Sequence, residues 1–277
     1  MRANFGHIVI RIVIYGVLLF LALTMLLPFI WMVSTSFMDR YEVYSYPPKF
    51  LPDKFLWSNY KEALTSLPFD RFFLNSLIMS IAIVVGQLLF CSQAAYAFAR
   101  MRFPGRDKLF LLYLSTMMIP GIVTLIPLFL LVHALGWVDT YWALIVPSLS
   151  SVFGIFLLRQ FFLTLPKELE DAARIDGASE FWIYWRIVLP LSKPALATFG
   201  IFSFMGTWRM LLWPLIATRS TEMRPVEVGI AMFSTHFSTN WPYQMAAAVV
   251  VMIPILVVFF FAQKYFIKGI VMTGLKG

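Results

Sequence analysis

The sequence predicts an all-α integral membrane protein with six transmembrane helices, and three observations support that fold class. The first is composition: 60% of the 277 residues are hydrophobic and 13% are charged, whereas soluble domains carry about 25% charged residues. The second is a series of long uncharged segments, and the third is an uneven distribution of basic residues among the loops. With a mean hydropathy of +0.80, the chain needs lipid as part of its solvent.

Six segments are long enough to cross a bilayer, which takes about 20 residues at 1.5 Å per residue. They span residues 12–32, 74–98, 109–132, 141–158, 194–218 and 245–263. We expect residues 1–33 to hold the first transmembrane helix rather than a cleaved signal peptide, because the apolar run is long for a signal peptide and no A-x-A site follows. Residues 34–71 are expected to form an extracytoplasmic loop, and residues 264–277 a cytoplasmic tail.

The basic residues indicate which loops face the cytoplasm. With both termini inside, the inner segments carry 14 basic and 6 acidic residues, and the outer segments carry 7 and 8. The net charge of +8 therefore lies at the inner face, as the positive-inside rule requires. We interpret this charge as a signal of orientation and expect no nucleic-acid partner.

Several classes of function are excluded by what the sequence lacks. It contains no G-x-x-x-x-G-K-[ST] phosphate-binding loop, and its three histidines, at 7, 133 and 236, have no metal-ligand spacing. No Asp or Glu falls inside the six segments, which removes the usual proton- or sodium-coupling groups. Cys91 stands alone in an apolar segment and is interpreted as a small buried residue. We therefore expect no catalytic residue, no metal and no cofactor in this chain.

The polar content of the spans leaves two interpretations open. Prolines, glycines, hydroxyls and amides within the segments are compatible with a solute path and equally with ordinary helix packing. Arg209 lies 15 residues after Pro194, about 22 Å along a continuous helix, in the outer third of a core of about 30 Å. Its guanidinium either reaches the outer interface or faces inward, toward a substrate or a partner subunit.

The inner loop at residues 162–193 is charged and has the pattern of two short helices. Pro166 suits the first turn of a helix, and the acids that follow complement the helix dipole. Leu169, Ala172, Ala173 and Asp176 are spaced to share one face, which the alanines make small and flat. The glycine at 177 is predicted to end this helix in a left-handed conformation.

A second helix is predicted to begin at Ser179, an N-cap, with Glu180 in the first turn. An apolar stripe follows and is ended by the Leu-Pro pair at 189–190. The stripe comprises Phe181, Trp185, Val188 and Leu189. Two helices with a glycine between them form a knob that another protein can approach closely. The alternative, an amphipathic helix lying on lipid, is disfavoured because the first helix exposes acids that anionic lipid repels.

The same residues resemble a known motif. "EDAARIDGA" at 170–178, followed by "IVLP" at 187–190, is similar to the EAA motif in permease subunits of binding-protein-dependent ABC importers. The resemblance implies a type I ABC importer fold, with its transmembrane domain at 70–263 and a cytoplasmic coupling helix in the 162–193 loop that docks on an ATPase. It assigns ATPase coupling to Glu170, Asp171, Ala172, Ala173, Asp176, Gly177, Ile187, Leu189 and Pro190. Asp171 departs from the motif, which has a glutamate directly before the two alanines. Because aspartate is one methylene shorter, the implied salt contact is either weaker or supplied by Glu170.

Other segments are similar to the MalG-like carbohydrate branch of that family. They are "NSL" at 75–77, "AYAFARMRFPGR" at 95–106, "WPLI" at 213–216 and "FIKGIVMTGLKG" at 266–277. The branch commonly has Trp-Asn where this chain has Trp208 and Arg209, so these two residues are candidates for the substrate path.

The resemblance implies a set of partners and a location. They are a second permease subunit that completes a heterodimer, an ATPase dimer that holds ATP and Mg²⁺, an extracytoplasmic solute-binding protein, and a sugar or oligosaccharide. The implied location is the bacterial cytoplasmic (inner) membrane, with both termini cytoplasmic. The alternatives are import of another solute (glycerol phosphate, a polyol, a polyamine or an amino acid) and a stand-alone channel or membrane enzyme.

Overall fold

The computed structural model describes residues 2–234 and 239–274, with backbone alone for 2–6, 262 and 264–274. Within those residues the chain is helical, and its β pairing is a single bridge between Ser234 and Thr239. The helices are α1 Arg2–Ser36, α2 Ser58–Ser66, α3 Phe69–Arg100, α4 Arg106–Ser115, α5 Gly121–Ala134, α6 Tyr141–Ile145, α7 Val152–Thr164, α8 Glu168–Ile175, α9 Glu180–Ile183, α10 Leu189–Leu191, α11 Lys193–Trp208, α12 Leu212–Ala217, α13 Val226–Ala231 and α14 Trp241–Gly274. A π-helical turn, Tyr184–Val188, joins α9 to α10. The predicted all-α class is confirmed.

Four helical segments of the described residues are long and apolar enough to cross a membrane. They are His7–Ser36, Phe69–Arg100, Tyr141–Thr164 and Trp241–Phe261. Counting each of two bent helix pairs as one span brings the number to six. α14 continues beyond residue 264, where the tail was predicted to begin; the side chains of 264–274, and residues 275–277 altogether, lie outside the described residues.

The predicted third span is not a straight helix. α4 and its terminal 3₁₀ turn end at Met118, and α5 begins at Gly121 after a bend of 99°. Pro120 explains the break, because proline disfavours the helical conformation for the residue before it. That residue, Ile119, is extended, with φ −82° and ψ 117°.

The prediction of a continuous fifth span at 194–218 is wrong. α11 ends at Trp208, Arg209 is its C-cap, and α12 follows as a separate helix. The segment that pairs with α11 precedes it: Glu180–Leu191 meets α11 at a bend of 79°. Arg209 therefore marks the end of a helix rather than a position within one.

The described chain forms two compact units. The first comprises Met1–Leu67 and Ile230–Met252, and the second comprises Pro68–Gly229 and Ile253–Gly277. In the first unit, the Asn59 amide is buried and donates to the backbone oxygens of Ser36 and Met38, both at 2.9 Å. These bonds fix the start of the loop after α1 against α2, since a buried amide is costly unless it is bonded.

α3 is the central helix of the second unit and packs most extensively against α7 and α11. Two groups of buried apolar side chains lie along it. The Trp213 cluster comprises Met79, Ile83, Val132, Ala143, Leu144, Trp213 and Ala217. The Phe199 cluster comprises Cys91, Ala95, Tyr96, Ala99, Phe110, Ile155, Leu158, Phe162, Ala173, Ile183, Tyr184, Val188, Ala195 and Phe199. The second cluster takes in residues of the charged loop, so this loop is part of the core rather than an appendage.

The C-terminal ends of α3 and α7 are joined by two arginines, each of which donates to backbone oxygens of the other helix or of the residue that follows it. Arg100 of α3 donates from Nη2 to the backbone oxygens of Phe162 (2.5 Å) and Leu165 (2.7 Å), at the end of α7. Arg159 of α7 donates from Nε to the oxygen of Phe98, near the end of α3, at 3.2 Å. The last carbonyls of a helix lack intrahelical donors and carry partial negative charge. Each arginine therefore caps the neighbouring helix, which locks the two ends together.

Candidate functional site

α8 is the first helix of the charged loop. Three acids lie in its first turn and Arg174 in its last, as the helix dipole favours. The backbone oxygen of Lys167 accepts from the N–H groups of Glu170 (3.0 Å) and Asp171 (2.9 Å), so Lys167 is the N-cap. Pro166 therefore precedes the helix, and its predicted place in the first turn is wrong.

Gly177 ends α8 as predicted. Its φ is +82°, in the left-handed region that glycine adopts without steric cost. Its N–H donates to the oxygen of Arg174 at 3.0 Å, and the N–H of Ala178 donates to that of Ala173 at 2.9 Å. This pair of bonds defines a Schellman C-cap, which turns the chain sharply toward α9.

The second helix of the loop starts at Ser179 as predicted. Its Oγ accepts from the N–H of Trp182 at 3.3 Å, which makes it the N-cap of α9. Leu189 and Pro190 do not end this helical segment, which runs through the π-helical turn and α10 to Leu191. Pro190 lies directly after the π-helical turn, at the second residue of α10.

The π-helical turn divides the predicted apolar stripe. Val188 is fully buried, whereas Phe181 and Trp185 are 70% and 41% exposed. A π-turn adds residues relative to an α-helix, so residues on its two sides no longer share a face. Ile187 and Leu189 are half-buried and pack against the Phe199 cluster.

α8 does not present the predicted face as one surface. Ala173 is buried in the Phe199 cluster, whereas Leu169, Ala172 and Asp176 are exposed. The buried face of α8, which packs against the rest of the chain, is formed by Glu170 and Ala173. Relative to the predicted orientation, in which Ala173 faced a partner, the helix is rotated about its axis by roughly one residue, or about 100°. Two adjacent alanines therefore have different surroundings: one packs inside the chain, and the other is open to a partner.

The carboxylate of Glu170 is enclosed, with its side chain 3% exposed. Oε1 lies 3.0 Å from Nε of Arg100, whose side chain is 2% exposed, and Oε2 lies 3.3 Å from Nη2 of Arg174. The Nε–H of Arg100 is not aligned on Oε1, so this contact is an ion pair rather than a hydrogen bond. The predicted coupling residue Glu170 thus faces its own chain.

Arg174 joins three carboxylates. Beyond Glu170, its Nε donates to Oε1 of Glu180 at 2.7 Å and its Nη1 donates to Oδ1 of Asp171 at 2.8 Å. The bond to Glu180 is the main reason that the pKa of Arg174 is raised above its ordinary value, although partial burial opposes the rise. Arg174 fixes α8 to the start of α9. The i,i+4 spacing of Glu170 and the i,i+3 spacing of Asp171 relative to Arg174 are a sequence signal for part of this role that was missed.

Three residues of α3, which we call the α3 polar stripe, hold the loop from the other side. They are Ser92, Tyr96 and Arg100, four residues apart and therefore on one face. The hydroxyls of Ser92 and Tyr184 are 2.7 Å apart, and Tyr96 donates to Oε2 of Glu180 at 2.6 Å. Sequence reasoning missed this stripe, and the one available signal was three polar side chains at helical spacing in an apolar helix.

A groove of about 530 Å³ opens beside this network. Its lining includes three basic residues, Arg102, Arg106 and Lys167, and among its acids are Asp171 and Glu180. Small-molecule sites are lined mainly by apolar groups. The charged lining of this groove differs from that of a typical small-molecule site.

The two candidates for the substrate path lie at the far end of α11. Trp208 is 2% exposed, and its ring stacks on Phe204 with centroids 5.5 Å apart, so it belongs to the packing. Arg209 is exposed. Burial raises the pKa of the half-buried Glu227, and the nearby charge of Arg209 opposes that rise. Because α11 has 16 residues, Arg209 is about 24 Å from the charged loop, so the two candidate regions are separate.

Metal binding and thiol chemistry each require particular arrangements of side chains. Across 2–234 and 239–274, no three His, Cys, Asp or Glu side chains lie together as a metal site would require. Cys91 is buried in α3 as predicted, and its thiol donates to the backbone oxygen of Ser151 at 3.7 Å. We find a structural role for it, consistent with a small packed side chain.

Comparison with known proteins extends these observations. The chain is 43% identical over 203 residues to the arabinooligosaccharides transport system permease protein AraQ of Halalkalibacterium halodurans, covering 73% of each protein. It is 37% identical over 275 residues to the sn-glycerol-3-phosphate transport system permease protein UgpE of Yersinia pestis, covering 96% of this chain and 95% of the relative.

Solved structures share the fold. A chain of a bacterial ABC transporter involved in the import of the acidic polysaccharide alginate matches with a TM-score of 0.81 at 27% identity, covering 93% of this chain and 96% of that one. The MetNI methionine ABC transporter matches at 13% identity with a TM-score of 0.54, which shows the fold alone.

The family described as "Binding-protein-dependent transport system inner membrane component" matches residues 92–272. This range begins at the first residue of the α3 polar stripe and includes the whole charged loop. The chain therefore belongs to this family, the membrane-embedded permease subunits of ABC importers.

Proposed function

We propose that this chain is one of two non-identical permease subunits of an ATP-driven importer, and that the pair forms the path for a sugar or oligosaccharide. The observation that supports this proposal most is the position of α8. Its outer face is exposed, and its inner face is held to α3 by a buried ion pair. The names of two relatives, which specify arabinooligosaccharides and the polysaccharide alginate, support a saccharide substrate.

The outer face of α8 is the proposed docking surface for an ATPase subunit. Ala172, Asp176 and Gly177 are exposed on it, and small side chains permit close approach of a partner. Asp171 is also exposed and takes the place of the motif's glutamate. Glu170 does not substitute for it, because its carboxylate is buried. The distribution of basic residues supports an orientation with α8 and both termini in the cytoplasm.

The proposed mechanism is alternating access. ATP and Mg²⁺, bound to the partner ATPase, favour its closed dimer and so displace the docked α8 helices. Because α8 is fixed to α3, the helices that line the path turn with it and accept solute from an extracytoplasmic binding protein. ATP acts as a ligand with unequal affinity for two states of the assembly. This chain contributes movement and a path, and no chemical step.

The test is uptake by proteoliposomes that contain the chain, its partner permease and its ATPase dimer, with the cognate binding protein outside. We expect ATP-dependent accumulation of a member of a neutral and acidic oligosaccharide panel. Uptake of glycerol 3-phosphate without uptake of any saccharide would contradict the substrate assignment. Accumulation by the permease alone would contradict the importer assignment.

The adjacent alanines of α8 separate docking from folding. Ala172→Gln adds bulk to the exposed face, and we expect normal membrane levels with uptake reduced about tenfold or more, because overpacking a contact costs about 1–3 kcal/mol. Ala173→Gln places an amide in the Phe199 cluster and should instead lower the amount of folded protein. Uptake normalised to membrane level, with the recovery of co-purified ATPase, distinguishes the two. Equal losses of folded protein in both variants would show that Ala172 is not a docking residue.

Arg209 is the proposed contact of this chain with the solute or the partner subunit. Charge-assisted hydrogen bonds contribute about 1.5–3 kcal/mol, so we expect Arg209→Ala to reduce uptake about tenfold or more without changing membrane levels. Arg219→Ala, another exposed arginine in this part of the chain, is the matched control and should transport normally. Unchanged uptake by Arg209→Ala would leave the side chain with an anchoring role at the interface.

A further inference from the structure

The contact between Glu170 and Arg100 differs from the other contacts that hold the charged loop. Both side chains are almost fully buried, at 3% and 2% exposure, with Nε and Oε1 3.0 Å apart. A buried charge is costly unless it is paired, and in such surroundings the attraction is weakly screened. Separating the two groups is therefore strongly opposed.

Arg100 connects three helices. It is the last residue of α3, it donates to Phe162 and Leu165 at the end of α7, and it pairs with Glu170 on α8. Within the α3 polar stripe, the contacts of Ser92 and Tyr96 go to the second helical segment of the loop. Of the three stripe residues, Arg100 is the one that reaches α8.

We propose that Glu170 is a positioning residue that passes movement of α8 to α3 and α7 through Arg100, and that it makes no contact with the ATPase. This inference rests on the proposed function, in which α8 docks on the ATPase. It gives the two neighbouring acids different tasks: Asp171 faces the partner, and Glu170 connects the docked helix to the transmembrane core.

The experiment uses the complete reconstituted transporter and the variant Glu170→Gln, which keeps the shape of the side chain and removes its charge. Glu168→Gln is the matched control, since it changes an exposed acid in the first turn of the same helix. Three quantities are measured: co-purified ATPase, uptake per ATP hydrolysed, and the ATP-induced change in hydrogen exchange across residues 92–100 of α3.

We expect Glu170→Gln to retain the bound ATPase and its rate of ATP hydrolysis, and to lose the ATP-induced change in hydrogen exchange of α3. Uptake per ATP hydrolysed should fall about tenfold or more, which is the scale of coupling between contacting residues. Glu170→Asp, which keeps the charge facing Arg100, should retain part of the uptake that Glu170→Gln loses. Glu168→Gln should match the wild type in all three measurements.

Two results would overturn the inference. If Glu170→Gln releases the ATPase in proportion to lost uptake, Glu170 is a docking contact. If the ATP-induced change in α3 persists in Glu170→Gln, or if Glu170→Asp loses as much uptake per ATP as Glu170→Gln does, the charge of Glu170 has no role in transmission. The hydrogen-exchange measurement requires no solute, so it is independent of the saccharide assignment. If that assignment fails, wild-type protein will still show the ATP-induced change in α3 but will import no saccharide.

Discussion

Replacing Gly177 by valine is expected to abolish ATP-driven uptake while the chain still inserts into the membrane. Its φ of +82° disfavours any side chain, and a β-branched residue held there costs about 1–3 kcal/mol. No atom lies within 4 Å of an added Cβ, so the effect comes from backbone strain rather than collision. Relief of that strain opens the Schellman cap and changes the direction of α8. Uptake and stimulated ATP hydrolysis, normalised to membrane level, measure the effect.

A graded series tests this explanation. Gly177→Asn should retain more uptake than the valine variant, because asparagine tolerates the left-handed region. Gly136 has a φ of +69° and equally open space around it, but it lies outside the charged loop. Gly136→Val therefore imposes similar strain and should leave uptake per folded molecule intact. Equal losses from the asparagine and valine variants at 177 would refute the conformational argument.

Gly154→Ala is expected to have the second large effect, on the amount of folded protein. An added Cβ would lie 2.0, 2.4 and 2.8 Å from three ring atoms of Phe199. Phe199 is 1% exposed, so its ring is enclosed by other side chains, and accommodating the Cβ requires the ring or the contact between α7 and α11 to shift. Overpacking of this kind costs about 1–3 kcal/mol or more. Thermal unfolding of the purified chain in detergent, together with its membrane level, measures the loss.

Two variants control for the identity of the neighbour. Gly86→Ala brings a Cβ within 2.3 Å of Cδ2 of Leu149, which is the end of a flexible side chain, so a smaller loss is expected. Phe199→Leu combined with Gly154→Ala should recover stability relative to Gly154→Ala, because contacting residues are not additive. A double variant no more stable than Gly154→Ala would show that the ring is not the obstacle.

Local sequence signals predicted the turn that organises the candidate site. The glycine at 177 and the cap at Ser179 are each recognised from a few neighbouring residues, since the bonds that satisfy a helix end are made within one turn. The all-α class followed from hydropathy for a similar reason: a bilayer sets a length that any long apolar run reveals.

Other features depend on tertiary structure and were therefore missed. Glu170 and Arg100 are 70 residues apart in sequence, and their contact exists only once α3 and α8 are packed. The rotation of α8 that buries Ala173 follows from the same contact. Hydropathy also cannot show where an apolar run breaks, which is why the ends of helices at Ile119 and Trp208 were overlooked.

The exchange of arginines between α3 and α7 has a consequence for the charge that the folded chain displays. Arg100 and Arg159 are both among the 14 inner basic residues, yet their side chains are 2% and 14% exposed. During membrane insertion, in the proposed orientation, they are unpaired cations that resist translocation. Afterwards their charges are compensated by carbonyl ends and by the carboxylates of Glu170 and Asp107. The same two residues thus favour the orientation during insertion and hold α3 to α7 in the folded chain. The surface that faces anionic lipid is therefore less positive than the count of basic residues suggests.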